Sequence, residues 1–294
     1  MLDIQIHFSG YRSLMRIMGL NIGLYLLYSI ARTLLFLSGS FTSILENVVL
    51  QLSLPASIQE LSRQPWSVLT YMFVHVDFMH ILFNMIILFW TGKLFIEYLG
   101  NDKFWATFIL GGVSGGLFYL LSYFFFPVLN GVAMNSQLIG ASAGVIAILV
   151  AISTLLPEYT VHLLLFGPVR LKYIAAVSIL LFFISIPMGN TGGHIAHMGG
   201  ALFGFLMVRQ LRNGRDLTAW MVRLFRFRRM KNPAMKVVRK PVIDTYAKPI
   251  QGAATQEVID QILDKINRSG FESLTQREKD TLYRASEKGG RRNS

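Results

Sequence analysis

The chain has 294 residues, of which 53% are hydrophobic and only 15% charged, and its formal net charge is +12. Soluble domains carry about 25% charged residues, so this composition excludes a disordered chain and disfavours an ordinary soluble domain. Cysteine is absent, which excludes disulfides, thiol catalysis and cysteine-ligated metal sites.

Six apolar stretches are candidates for crossing the hydrocarbon core of a membrane, which is roughly 30 Å thick and takes about 20 helical residues. In chain order they cover about residues 17–37, 73–96, 104–126, 138–156, 173–187 and 194–208. No cleavable leader is recognisable, so we expect the first stretch to stay as a membrane anchor. The sequence therefore predicts an all-α, polytopic membrane protein with a bundle of six transmembrane helices.

The basic residues lie at alternate ends of these stretches. They precede the first, link the second to the third, precede the fifth, and are dense after the sixth, from Arg209 to Lys240. The loop at residues 127–137 carries no charge. By the positive-inside rule, both termini are predicted to be cytoplasmic. The positive charge therefore indicates anionic membrane lipids as a partner, and not nucleic acid.

Composition divides the chain into three predicted regions. Residues 1–212 form the membrane domain, residues 213–254 a basic juxtamembrane segment and linker, and residues 255–294 a small cytoplasmic helical hairpin. In the hairpin, apolar residues recur at helical spacing until Gly270. Thr275 with Glu278 then forms a capping-box pattern, which predicts the start of a second helix.

Polar residues interrupt three of the apolar stretches, where each costs several kcal/mol and so indicates function. They are His75, His80 and Asn84 in the second stretch, Ser142 in the fourth, and His194 and His197 in the sixth. His80 and Asn84 are four residues apart and share one helix face. All three helices run in the same direction, so we expect these groups at a similar depth in the outer leaflet.

A serine beside a histidine is the minimum arrangement for a nucleophile and its general base. We predict this pair to be Ser142 and His197, because glycines follow His197 at a spacing that lets its helix approach the small residues around Ser142. His80 and Asn84 would donate hydrogen bonds to an oxyanion. The fourth to sixth stretches contain no carboxylate, so packing would have to orient the base.

Other uses of these residues stay open at this point. An intramembrane zinc site could use His75, His80, His194 and His197, although no H-E-x-x-H motif occurs. A proton or solute transporter could use the histidines as a relay, although no internal repeat is evident. The glycines and Asn84 taken singly are also typical of plain helix packing.

At these residues the sequence resembles the rhomboid family of intramembrane serine proteases. The similarity rests on three motifs: an HxxxxHILFN run ending at Asn84, a G-x-S motif from Gly140 to Ser142, and an A-H-x-x-G-x-x-x-G motif from Ala196 to Gly204. The resemblance implies a six-helix bundle with a water-filled cavity and single-span membrane proteins as substrates. It implies neither a cofactor nor a metal. The tail is similar to that of some bacterial members, which implies a bacterial inner membrane.

The resemblance also implies a role for each matching residue. Ser142 would be the nucleophile and His197 the general base of a dyad. His80, Asn84 and the backbone N–H of Ser142 would form the oxyanion site, and Gly140 belongs to the same substrate-binding set.

Three positions depart from the family's pattern. Ala143 replaces the usual glycine after the serine and would add a methyl near the active site. Ile146 replaces an aromatic residue one turn later, and Trp66-Ser67 replaces a Trp-Arg pair. None of these changes removes a catalytic atom. Together they keep open the alternative of a non-catalytic homologue that only binds membrane helices.

Overall fold

The computed structural model describes residues 8–39, 43–131, 133–163, 167–229 and 256–290. The chain divides into two compact units, Met1–Asn232 and Pro233–Ser294. All of the candidate site residues belong to the first unit.

The described part of the first unit contains helices and two short antiparallel strand pairs. The helices are α1 (Arg12–Leu37), α2 (Ser43–Leu52), α3 (Ile58–Arg63), α4 (Ser67–Thr70), α5 (Phe78–Phe125), α6 (Pro127–Asn130), α7 (Ser142–Leu155), α8 (Leu171–Ser185), α9 (Thr191–Arg212) and α10 (Ala219–Arg229). Strand β1 (Leu54–Pro55) pairs with β2 (Gln137–Leu138), and β3 (Thr160–Leu163) pairs with β4 (Gly167–Arg170).

Length and apolar composition identify the membrane helices. Among the described residues, Arg12–Leu37, Phe78–Phe125 and Leu171–Met188 are long and apolar enough to cross a bilayer. The second of these contains 48 residues, and Gly100, with a φ of 82°, divides it into two spans. With α7 and α9, the described residues hold six membrane segments. The predicted all-α, polytopic fold is confirmed.

Two of the differences between the predicted stretches and the observed helices involve α5. The second apolar stretch begins near residue 73, but α5 begins at Phe78, because the Asp77 side chain caps the helix by accepting the His80 N–H at 2.8 Å. His75 therefore lies in the non-helical segment before α5, and not within the helix. The predicted link between the second and third stretches is helical except at Gly100.

Helix α7 lies at the centre of the bundle. Its residues from Ala143 to Ser153 are all buried, and α5, α8 and α9 pack around it. A helix covered on every side needs no polar face, which explains why its sequence is mostly apolar. Helices α1 and α8 are different, because few of their residues are buried. Their buried residues are Leu14, Ile17 and Asn21 in α1, and Leu171 and Ala175 in α8.

The segment between α1 and α5 holds the turn that precedes α7. The hydroxyl of Tyr71 donates a hydrogen bond to the carbonyl oxygen of Gly112 in α5, at 2.7 Å. The carbonyl oxygen of Tyr71 accepts the N–H of Gly140 at 2.9 Å. Tyr71 thus connects the turn before Ser142 to the second half of α5, and the β1–β2 pair reinforces the connection.

The described part of the second unit is a helical hairpin of α11 (Gln256–Ser269) and α12 (Gln276–Gly290). Gly270, with a φ of 78°, follows α11, as predicted. The capping box is also confirmed. Glu278 Oε2 accepts the N–H of Thr275 at 2.7 Å, and the N–H of Glu278 donates to Thr275 Oγ1 at 3.4 Å. Of the predicted juxtamembrane segment and linker at residues 213–254, residues 230–254 lie outside the described residues.

Candidate active site

The structure brings Ser142 and His197 together. Ser142 is the first residue of α7, and His197 lies in the second turn of α9. The Nε2 atom of His197 is 2.6 Å from the Oγ atom of Ser142, although 55 positions separate the two residues in the chain. At this distance the hydroxyl can donate its proton to the imidazole, which is the geometry that activates a serine nucleophile.

A seam of small residues sets this distance. We call the contact of Gly200 and Gly204 in α9 with Ala143 and Ala147 in α7 the glycine seam. A Cβ atom at Gly200 would collide with the carbonyl oxygen of Ala143, and one at Gly204 with the carbonyl oxygen of Ala147. The two backbones can touch only because α9 has no side chains there. The predicted close approach of these helices is therefore confirmed.

The methyl group of Ala143, the first departure from the family's pattern, is buried. It lies against α5, at a point where a Cβ atom on Gly115 would come within 2.5 Å of it. A glycine on α5 thus provides the room for the extra methyl. With this methyl group in place, the distance between Ser142 Oγ and His197 Nε2 is 2.6 Å.

His80 lies beside the turn that carries the serine. It is in the first turn of α5, and its ring occupies the space that a Cβ atom on Gly140 would need, within 2.5 Å of Cε1 and 2.7 Å of Nε2. Gly140 also has a φ of 110°, which side chains with a Cβ rarely allow. Gly140 is therefore required twice, for the turn and for the close approach of His80.

Asn84 lies near the site, but its side chain also contacts His75, a residue that the sequence did not assign to the dyad. Its Nδ2 atom is 3.2 Å from Nε2 of His75, and the N–H of Ala141 donates to the same nitrogen at 3.3 Å. A backbone N–H can only donate, so Nε2 of His75 is the acceptor. Asn84 then gives one amide hydrogen to His75 and keeps a second one.

His75 is among the polar residues named in the second stretch, but it has no part in the predicted dyad or oxyanion site. It is buried, and it joins α5 to the turn before Ser142 through Asn84 and Ala141. The signal in the sequence that could have identified this role is the position of His75 as the first histidine of the HxxxxHILFN run.

His194 is close to His197, but the histidine that lies against Ser142 is His197. The two imidazole centroids are 6.1 Å apart, and the observed hydrogen bond to Ser142 comes from His197. Within the described ranges, the Nδ1 atom of His197 is buried and has no hydrogen-bond partner, so no carboxylate orients the ring. Those residues also contain no cluster of three or more histidines and carboxylates arranged to hold a metal.

Comparisons with known protein families give two matches. The model of a family described as Rhomboid domain matches residues 62–213, which include every candidate site residue. A second model, of a family of unknown function, matches residues 251–288 in the hairpin.

Curated relatives match about half of the chain. RHOMBOID-like protein 12, mitochondrial, from Arabidopsis thaliana is 27% identical over 51% of this chain and 47% of its own length. Rhomboid protein 1, mitochondrial, from Saccharomyces cerevisiae is 27% identical over 48% of this chain and 40% of its own. Rhomboid-like protease 3 from Toxoplasma gondii is 25% identical over 55% and 58%. The chain thus spans about half the length of these relatives.

Proposed function

The chain belongs to the rhomboid family, since the family's domain covers about half of it, and from this we propose that it is an intramembrane serine endopeptidase. We propose that it cleaves single-span membrane proteins through a dyad of Ser142 and His197. The observation that carries the proposal is the 2.6 Å hydrogen bond between Ser142 Oγ and His197 Nε2. Family membership supports the coarser statement, a protease-type function in the membrane.

The reaction would proceed by acyl transfer. Ser142 Oγ attacks the carbonyl carbon of the scissile peptide bond while His197 Nε2 takes the hydroxyl proton. His197 then gives this proton to the leaving nitrogen, and the peptide bond breaks. A water molecule hydrolyses the resulting ester by the same route, with His197 again acting as the base.

The negative charge that develops on the carbonyl oxygen needs hydrogen-bond donors. The first N–H groups of α7 have no intrahelical partner and carry the positive end of the helix dipole. We assign the N–H of Ser142, the ring of His80 and the second amide hydrogen of Asn84 to this role. Gly140 belongs to the same set, because it lets His80 lie beside the serine.

The membrane determines the class of substrate. A transmembrane helix satisfies its carbonyl groups with its own N–H groups, so a segment must unwind before a serine can attack it. Single-span proteins with unstable helix ends and small side chains at the cut meet this requirement. The alternative, a rhomboid-like protein that binds membrane helices without cleaving them, would not require the hydrogen bond between Ser142 and His197.

The protein is a membrane protein, and we propose a bacterial inner membrane with both termini in the cytoplasm. The basic residues at the end of α9 and beyond, such as Arg209, Arg212 and Arg215, support this orientation. Reporter fusions after Asn213 and within residues 127–137 should report opposite sides of the membrane. Three of the matched relatives are named as mitochondrial, so fractionation of the source cells is the test of the compartment.

A serine-directed fluorophosphonate probe tests the proposed activity on the purified protein. We expect the wild type to be labelled and to cleave a model substrate, and Ser142→Ala and His197→Ala to lose both by about 10⁴-fold or more. The double variant should be no slower than either single variant, because the pair acts as one unit. His194→Ala is the matched control and should keep most of the activity. A folded wild type that neither labels nor cleaves would establish the non-catalytic alternative.

A further inference from the structure

The general base proposed above lacks the usual means of orientation. In the triad of a serine hydrolase, a carboxylate accepts a hydrogen bond from Nδ1 and so holds the imidazole in one tautomer and one plane. In the described part of this chain, Nδ1 of His197 is buried without a hydrogen-bond partner. Besides the hydrogen bond to Ser142, the orientation of this ring therefore depends on the side chains packed against it.

A phenylalanine from a third helix contacts the ring. The centroid of Phe182 in α8 lies 4.4 Å from that of His197, with the ring planes tilted by 57°. The same phenylalanine stacks near His194, at 6.4 Å and 29°. Phe182 is partly buried, and it packs on a small apolar cluster that includes Ile146 of α7 and Ala201 of α9.

We propose that Phe182 is a positioning residue that orients His197 toward Ser142; this rests on the proposed protease function. The aromatic support for the base then comes from α8. Ile146, one turn after Ser142, contributes only an aliphatic side chain to the cluster. The base is held across a helix–helix contact, because Phe182 lies in α8 and His197 in α9.

The chemistry of the contact favours an aromatic side chain over an aliphatic one. Tilted aromatic pairs at this distance place the positive edge of one ring against the negative face of the other. Such a contact is worth about two- to tenfold in an equilibrium beyond the area it buries. Leucine can fill much of the same space but cannot supply this orientation.

The test compares two neighbouring phenylalanines of α8. Phe182→Leu should slow labelling by the fluorophosphonate probe by about tenfold, and should lower kcat by a similar factor with little change in KM. Phe183→Leu is the matched control, because Phe183 is 57% exposed and faces lipid. It should label and cleave at the wild-type rate. Phe182→Met makes the same comparison if Phe182→Leu does not yield folded protein.

A second change tests whether the ring itself matters. Adding Ile146→Phe to Phe182→Leu returns an aromatic ring to the cluster at a nearly constant total volume, which cores tolerate best. The double variant should recover most of the labelling rate. The inference is overturned if Phe182→Leu labels as fast as Phe183→Leu, if its loss lies in KM alone, or if the double variant recovers nothing. In each of these cases the probe still labels the wild type and does not label Ser142→Ala, so the proposed protease function stands. A wild type that the probe does not label would refute the protease function itself.

Discussion

The glycine seam and the C-terminal hairpin are both helix pairs, but they are stabilised in different ways. In the seam, Gly200 and Gly204 let α9 press directly on the backbone of α7, and the contact contains no charge. In the hairpin, Lys265 Nζ lies 2.9 Å from Glu278 Oε2, and the same carboxylate accepts hydrogen bonds from Thr275. The buried apolar side chains of the hairpin's described residues are Ile262 and Leu274.

The difference reflects the solvent around each pair. Lipid is as apolar as leucine, so helices in a membrane gain little by burying apolar side chains and associate through close packing of small residues. The hairpin, by contrast, has water-exposed charged residues, and its ion pairs and caps are sensitive to pH and salt. The seam should therefore respond to side-chain volume, and the hairpin to protonation.

The largest effect is expected from a side chain placed in the seam. Gly200→Val forces a branched side chain against the carbonyl oxygen of Ala143, and should lower the free energy of unfolding by at least about 3 kcal/mol and abolish cleavage. The matched control is Gly19→Val in α1, where a Cβ atom meets no heavy atom within 4 Å. Thermal unfolding in detergent measures the stability of both variants. A stable, active Gly200→Val variant would contradict the packing described here.

The proposed oxyanion donors should affect rate and leave the fold intact. His80→Ala and Asn84→Ala are each expected to slow cleavage by about 10²–10³-fold, the usual loss for one such donor. The control is Thr91→Ala on the same half of α5, where the hydroxyl donates to the carbonyl oxygen of Ile87 at 2.7 Å. Steady-state cleavage at equal folded concentration is the measurement. Normal turnover in both variants would make His80 and Asn84 packing residues.

Removing the second unit should have a smaller effect. We expect deletion of residues 233–294 to leave cleavage nearly unchanged, because the candidate site and its hydrogen bonds lie in Met1–Asn232. An earlier end at Gly214 should lower the free energy of unfolding by about 1–3 kcal/mol. It removes the buried Met221 and the Lys103–Asp216 ion pair. Unfolding and cleavage assays on both truncated proteins make the comparison. Loss of cleavage in the protein that ends at residue 232 would assign the tail a role in the reaction.

The smallest effect concerns pH. The N–H of Thr275, the Lys265 ammonium and the Thr275 hydroxyl lower the pKa of Glu278 from 4.5 to about 2. A carboxylate with a lowered pKa stabilises the folded state above pH 4.5, and this contribution is lost as the pH falls toward 2. Hydrogen–deuterium exchange of α11 and α12 between pH 7 and 3, corrected for intrinsic rates, should show this loss in the wild type.

The matching variants separate this cap from other charges. Glu278→Gln should show weaker protection at pH 7 and a flatter pH profile. Glu272→Gln, at a side chain that is 94% exposed, should behave as the wild type. Equal profiles for all three proteins would show that the cap does not stabilise the hairpin.

Local patterns in the sequence were enough to predict the bundle and much of the hairpin. A membrane span depends on the hydropathy of its own residues, so six segments could be located without any knowledge of their contacts. The capping box of Thr275 and Glu278 depends on residues three positions apart, and its hydrogen bonds form as predicted. Ser142 and His197 could be proposed as a pair because few polar residues are tolerated inside a membrane.

Tertiary structure alone decided the environment of that pair. The bond between His75 and Ala141 joins residues 66 positions apart, and the contact of Phe182 with His197 joins two different helices. Ala143 directs its methyl toward Gly115 of α5, a neighbour that no local pattern identifies. Hydropathy and helical spacing describe one segment at a time, whereas the orientation of a ring depends on which side chains other segments bring against it.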